Sequence, residues 1–99
     1  MNNKITNNLV RTAGNQMNKK ETLPYTYKML KKSYDDFVRN MSKSDFSNSP
    51  RRYMSELMYV RTLKEAAKGN NLPQELKTMA DKEESLLKKL ADLGVTYNG

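Results

Sequence analysis

The stretch Ser49–Arg61, SPRRYMSELMYVR, packs three arginines, two tyrosines and two methionines into thirteen residues. It reads either as a grip for nucleic acid or as one side of a packed, basic helix. Each residue advances by about 100° along an α-helix. On that wheel Tyr53, Met54, Leu57, Met58 and Val60 share a broad arc. Further along, Tyr59, Leu63, Ala66 and Ala67 lie on a displaced arc, and Arg61, Lys64 and Lys68 fill the space that the first arc vacates. The apolar surface therefore slides around the helix and can meet more than one neighbour. Amphipathic spacing accounts for the tyrosines and methionines without any ligand. The stretch is thus expected to be a core helix with solvated arginines. Ser49 followed by Pro50 is a start signal, an N-cap oxygen and then proline at N1. The helix should continue to Lys68, with Gly69 at the left-handed C′ position and Lys64 and Lys68 at the negative end of the dipole.

The same spacing extends in both directions. From Pro24 to Met41, the residues Tyr27, Leu30, Tyr34, Phe37 and Met41 recur at 3-4-3-4, the seam of a bundle helix, which Val38 widens. Asp35 and Arg39 are placed for an i,i+4 pair. SKSDFSNS, residues 42–49, is a polar loop. After NNLP, a third helix is expected from Pro73 to Leu93 on Leu76, Met79, Leu86, Leu90 and Leu93, with Glu84 and Lys88 as a pair. Gly94 then Val95 reads as a Schellman ending. Residues 1–21 read as a polar basic arm with six asparagines. Ile5, Leu9, Ala13 and Met17 fall at four-residue spacing there, so a short fourth helix could form on contact with a partner, weakened by roughly 1 kcal/mol at Gly14. The fold class is all-α: a small three-helix bundle over 22–95, the arm 1–21, and a tail, 96–99.

Composition removes whole classes of function. The chain has no cysteine and no histidine. Disulfides, thiolate chemistry, a Ser-His-Asp triad and the usual zinc ligands are excluded. No metal site, cofactor or small-molecule substrate is expected. Apolar runs are too short for a membrane span, and MNNKITNNLV has no apolar core of a secretory signal. A cytoplasmic or virion-associated setting is the expectation. The net charge of +7 is unevenly spread. Residues 1–21 carry four bases and one acid, 22–48 five and three, 49–70 five and two, and 71–99 four and five. A polyanion or an acidic protein surface would be drawn to the first two-thirds.

Two sets of candidate residues follow. Arg51, Arg52, Arg61, Lys64 and Lys68 on the second helix, with Lys28, Lys32 and Arg39 on the first, could contact a polyanion such as nucleic acid. Against this, Arg51 and Arg52 project away from Arg61, and no recognition helix, RNA-binding signature or zinc finger is present. Tyr53, Met54, Met58 and Tyr59, with Ile5 and Leu9 of the arm, could form a protein interface, because methionine repacks easily and tyrosine joins an apolar body to a polar tip. Glu83 falls on the seam of the third helix. It could be a carboxylate poised for proton transfer, but with no second catalytic group a pairing with a facing lysine or arginine is the better expectation. The neighbours Asp35-Asp36 and Glu83-Glu84 diverge by about 100°, so neither forms a bidentate magnesium site.

These readings describe a non-enzymatic protein that docks onto a larger protein assembly or onto copies of itself. Small size, a basic arm and a lysine- and asparagine-rich composition suit a phage or other viral particle component. Nucleic-acid binding through the basic face of the first two helices is the first alternative. A cytosolic immunity-type helical bundle is the second.

Overall fold

The computed structural model describes residues 21–96. The fourth helix expected in the arm, with Ile5 and Leu9, falls outside the described residues. Among the described residues the chain is all-α, with three helices: α1, Tyr25–Ser42; α2, Pro50–Gly69; and α3, Pro73–Asp92. The central helix α2 packs on both neighbours, more extensively on α3 than on α1. No Cα of α1 lies within 8 Å of one in α3. The wandering apolar surface of α2 is the reason. Leu57, Val60, Leu63 and Ala67, drawn from both arcs, are enclosed, while Met58 and Tyr59 lie on the side of α1.

The core is mostly the α2–α3 hairpin. Leu57, Val60, Leu63 and Ala67 of α2 are fully enclosed, and Met79, Leu86 and Leu90 of α3 are buried against them. Each large apolar side chain buried in this way contributes about 1.5–3 kcal/mol. The contribution of α1 is of another kind. Its two buried residues are Tyr27 and Tyr34, while Leu30, Phe37 and Met41 of the predicted seam are only half-buried. Both phenols reach carboxylates on the other helices. Tyr27 donates to Glu75 of α3 at 3.1 Å, and Tyr34 donates to Glu56 of α2 at 2.6 Å. Burial first, then these hydrogen bonds, push both phenols well above the ordinary tyrosine range, so they remain donors.

The helix ends show where local signals hold and where packing overrides them. Ser49 accepts from the Arg52 backbone N–H at 3.1 Å and Pro50 takes the first helical position, as the sequence predicts. At α3, Leu72 offers no side-chain cap. Glu21, more than fifty residues earlier, supplies one instead. Its two carboxylate oxygens accept from the backbone N–H groups of Gln74 and Glu75 at 3.1 and 3.0 Å. A carboxylate there satisfies two orphan donors and opposes the positive end of the helix dipole. Glu75 in the same turn also accepts from Lys31 of α1 at 3.1 Å. The start of α1 is thereby tied to the start of α3.

Gly69 is not the left-handed residue that ends α2. The helix runs through it, and Asn71 takes the positive φ of 56°. The Leu72 N–H bonds the Ala67 carbonyl at 2.9 Å and the Asn71 N–H bonds that of Lys68 at 3.3 Å, which is a Schellman motif displaced by two residues. Ending at Gly69 would put polar Asn70 where the motif wants an apolar residue. Ending at Asn71 puts Leu72 there, buried beside Ala67. At α3 the expected ending is present: Gly94 has φ 79°, and the Val95 N–H bonds the Leu90 carbonyl at 2.9 Å.

The two glycines should therefore respond oppositely to alanine. A Cβ at Gly69 meets nothing within 4 Å. Gly69→Ala should raise stability by roughly 0.5–1 kcal/mol through helix propensity and a less free unfolded chain. Gly94→Ala should lower it by about 1 kcal/mol, because the left-handed backbone resists a Cβ. Urea midpoints of the two variants check this. A loss at Gly69 equal to that at Gly94 would mean that α2 ends two residues earlier than described.

Candidate functional site

The eight cations of the polyanion set do not form one face. Arg51 and Lys68 lie at opposite ends of α2, a separation of about 25 Å at 1.5 Å per residue. Arg52 folds inward. Its guanidinium pairs with Glu56 at 3.0 Å and lies 4.9 Å from the centre of the Tyr53 ring. Arg61 and Lys64 both bind Glu83, at 2.7 and 2.5 Å. Lys32 and Arg39 share Asp36, not the Asp35 that simple i,i+4 spacing selects. Hydrogen bonds from Lys32 and then Arg39 hold the Asp36 carboxyl below its usual range. Lys28, Arg51 and Lys68 are exposed. Five of the eight therefore face a carboxylate at ion-pair distance, which reduces the field that they offer to a polyanion.

Glu83 is the seam carboxylate whose role was open between chemistry and structure. It bridges α3 to α2 through two cations, with its side chain 16% exposed. The hydrogen bond from Lys64 and then that from Arg61 outweigh desolvation and hold its carboxyl below the usual glutamate range. A carboxylate kept ionised by two cations is a poor proton donor near neutrality. The pairing that the sequence favoured is the one observed.

The sequence reading missed Glu56. It is the buried charged residue of the core, 8% exposed. One carboxylate oxygen takes Arg52 and the other takes the Tyr34 hydroxyl. On the wheel Glu56 lies within about 40° of Val60 and Leu63, so its burial was legible there. Its partner Tyr34 was not.

The candidate interface residues separate. Tyr53 is buried, with its hydroxyl donating to Asn48 at 2.9 Å, and belongs to the core instead. Met54 is half-buried against the core. Met58 is 62% exposed, and half-buried Tyr59 stacks obliquely with Phe37 at 5.1 Å between ring centres. These last two join a shallow groove between α1 and α2, of about 480 Å³, lined by Leu30, Phe37, Ser55, Met58, Tyr59 and Thr62. No lining residue is charged, in a chain where 29% of residues are. A second hollow adjoins it through Ser55 and reaches Met41, exposed Phe46, Arg51 and Arg52. The face is thus an apolar strip with an arginine end.

Among the described residues no cluster of three or more acidic side chains is placed to hold a metal ion, and no helix is long and apolar enough to cross a membrane. Compared with known protein families, curated proteins and solved structures, the chain finds no significant match.

The Glu83 bridge makes stability pH-dependent. Because its folded carboxyl lies below the unfolded one, its contribution is complete above the ordinary glutamate range and is lost as pH falls through the lowered value. Glu83→Gln should cost roughly 1–2 kcal/mol at pH 7, after allowance for partial solvent screening. The gap from the wild type should close in acid. Urea titrations of both proteins from pH 7 down to the acid limit of folding test this, and a gap independent of pH would show that the bridge is not ionic.

Proposed function

We propose that this chain is a non-enzymatic docking protein, and that the α1–α2 face seats an apolar segment of a larger protein assembly whose acidic end meets Arg51. The observation that carries the proposal is the uncharged groove itself. Interface centres are depleted of charge and enriched in aromatic residues and methionine. Leu30, Phe37, Met58 and Tyr59 have that composition in an otherwise highly charged chain. Exposed Phe46 extends the strip. Arg51 has no carboxylate within ion-pair distance among the described residues, so its charge is available to a partner. The assembly we favour is a phage or other viral particle, on the grounds of size, basic arm and composition alone. Five of the eight candidate polyanion contacts are engaged within the chain, which argues against nucleic acid as the main partner.

A photo-crosslinking side chain placed at Met58, and separately at exposed Lys88 on α3, tests the docking face in the native host. One protein adduct, identified by mass spectrometry, should form from position 58 and not from 88. Met58→Asp should abolish co-purification of that same protein, and salt should change its retention little. Equal labelling from both positions would contradict the proposal. So would retention of duplex DNA that weakens steeply with salt, the mark of counterion release.

A further inference from the structure

A second site lies away from the groove, where α3 crosses the first half of α2. Lys82, Ser85 and Lys89 recur at three- and four-residue spacing and so share one stripe of α3. With Leu86 they line a polar notch of about 190 Å³ against Arg52, Tyr53 and Glu56. That is below the 300–1,000 Å³ typical of pockets for drug-sized ligands. The notch has three cations and one carboxylate, a balance of +2. Its carboxylate is already occupied, since Glu56 takes Arg52 on one oxygen and the Tyr34 hydroxyl on the other. Asp92 lines the neighbouring hollow with Lys89 but not the notch.

Neither lysine has a carboxylate within ion-pair distance among the described residues. Each lies against an aromatic ring instead. The Lys82 ammonium is 5.9 Å from the centre of the Tyr34 ring, and that of Lys89 is 5.7 Å from the centre of the Tyr53 ring. Cation–π attraction favours these positions and leaves all three N–H donors of each ammonium for another acceptor. The Arg52 Nε–H is buried without an acceptor. Arg52 is one of the residues that line the notch, so this unsatisfied donor belongs to one of its walls. Two lysines without a carboxylate partner, an arginine that shares one carboxylate, and a serine hydroxyl are the donor set of a tetrahedral oxyanion.

We propose that this notch binds a phosphate group, as the free ion or a small phosphate monoester, through Arg52, Lys82, Ser85 and Lys89. The site shares Arg52 with the arginine end of the α1–α2 face but does not depend on what that face binds.

The test is an NMR titration of the full chain with inorganic phosphate, exchanged for chloride at constant ionic strength. The expected result is a saturable shift of the Arg52 Nε–H resonance and of the Lys82, Ser85 and Lys89 amides. Lys82→Met with Lys89→Met removes the charge from two exposed side chains while keeping their stems. It should weaken binding by about tenfold or more, with an otherwise unchanged spectrum confirming the fold. A parallel titration with O-phosphoserine separates the free ion from a monoester by which saturates at lower concentration. Two results would overturn the proposal: no saturable shift with either probe, or equal binding by the double variant, which would mean diffuse screening of the net charge.

Discussion

The hydrogen bond from Tyr34 to Glu56 joins a helix whose apolar stripe is mostly half-buried to a hairpin whose stripe is enclosed. Leu57, Val60 and Leu63 already have partners in Met79, Leu86 and Leu90. What α1 brings to the centre is a pair of phenols, and a buried phenol requires an acceptor. Glu56 in turn requires donors, because a buried carboxylate without them is heavily penalised. Tyr34 and Arg52 satisfy it from two directions. The Glu75 cluster, with Tyr27, Lys31 and the neighbouring Glu21 cap, repeats the device at the other end of α1. Directional bonds thus anchor α1 at two points beside its packing, whereas the hairpin rests mainly on volume, with the Glu83 bridge at its edge.

This division shapes the outer surface. Because α1 is held by its polar tips, its remaining apolar residues are not drawn fully inward. Leu30 and Phe37 stay half-buried beside Tyr59 and Met58, and the groove results. Charge is distributed on the same logic. Glu83 engages Arg61 and Lys64, Asp36 engages Lys32 and Arg39, and Glu56 engages Arg52. A net positive chain therefore presents fewer available cations on α1 and α2 than its composition implies.

Periodicity made the three helices legible, and chemistry adjacent in sequence made Ser49–Pro50 and Gly94–Val95 legible. Glu83 was readable as a paired seam residue because the wheel placed cations on the facing helix. The misses share a cause: each depends on residues distant in the chain. Gly69 is the better left-handed residue in isolation, yet the burial of Leu72 moves the turn to Asn71. The wheel marks Glu56 as inward-facing but says nothing of Tyr34. Nothing near Pro73 announces Glu21 as its cap. Lys82 and Lys89 sit in the segment of the chain with a slight acidic excess, so a charge count by segment passes over them. Only the folded hairpin brings them to Arg52.

The central claim is that α1 is fixed by the buried Tyr34–Glu56 bond. A double-mutant cycle with Tyr34→Phe and Glu56→Leu measures it by urea denaturation at pH 7, and the loss at Arg52 common to both Glu56 variants cancels in the coupling term. The account predicts a coupling energy of about 1.5–3 kcal/mol, the range for a hydrogen bond to a charged group. Additivity within about 0.5 kcal/mol would contradict it and would mean that the Tyr34–Glu56 bond does not fix α1.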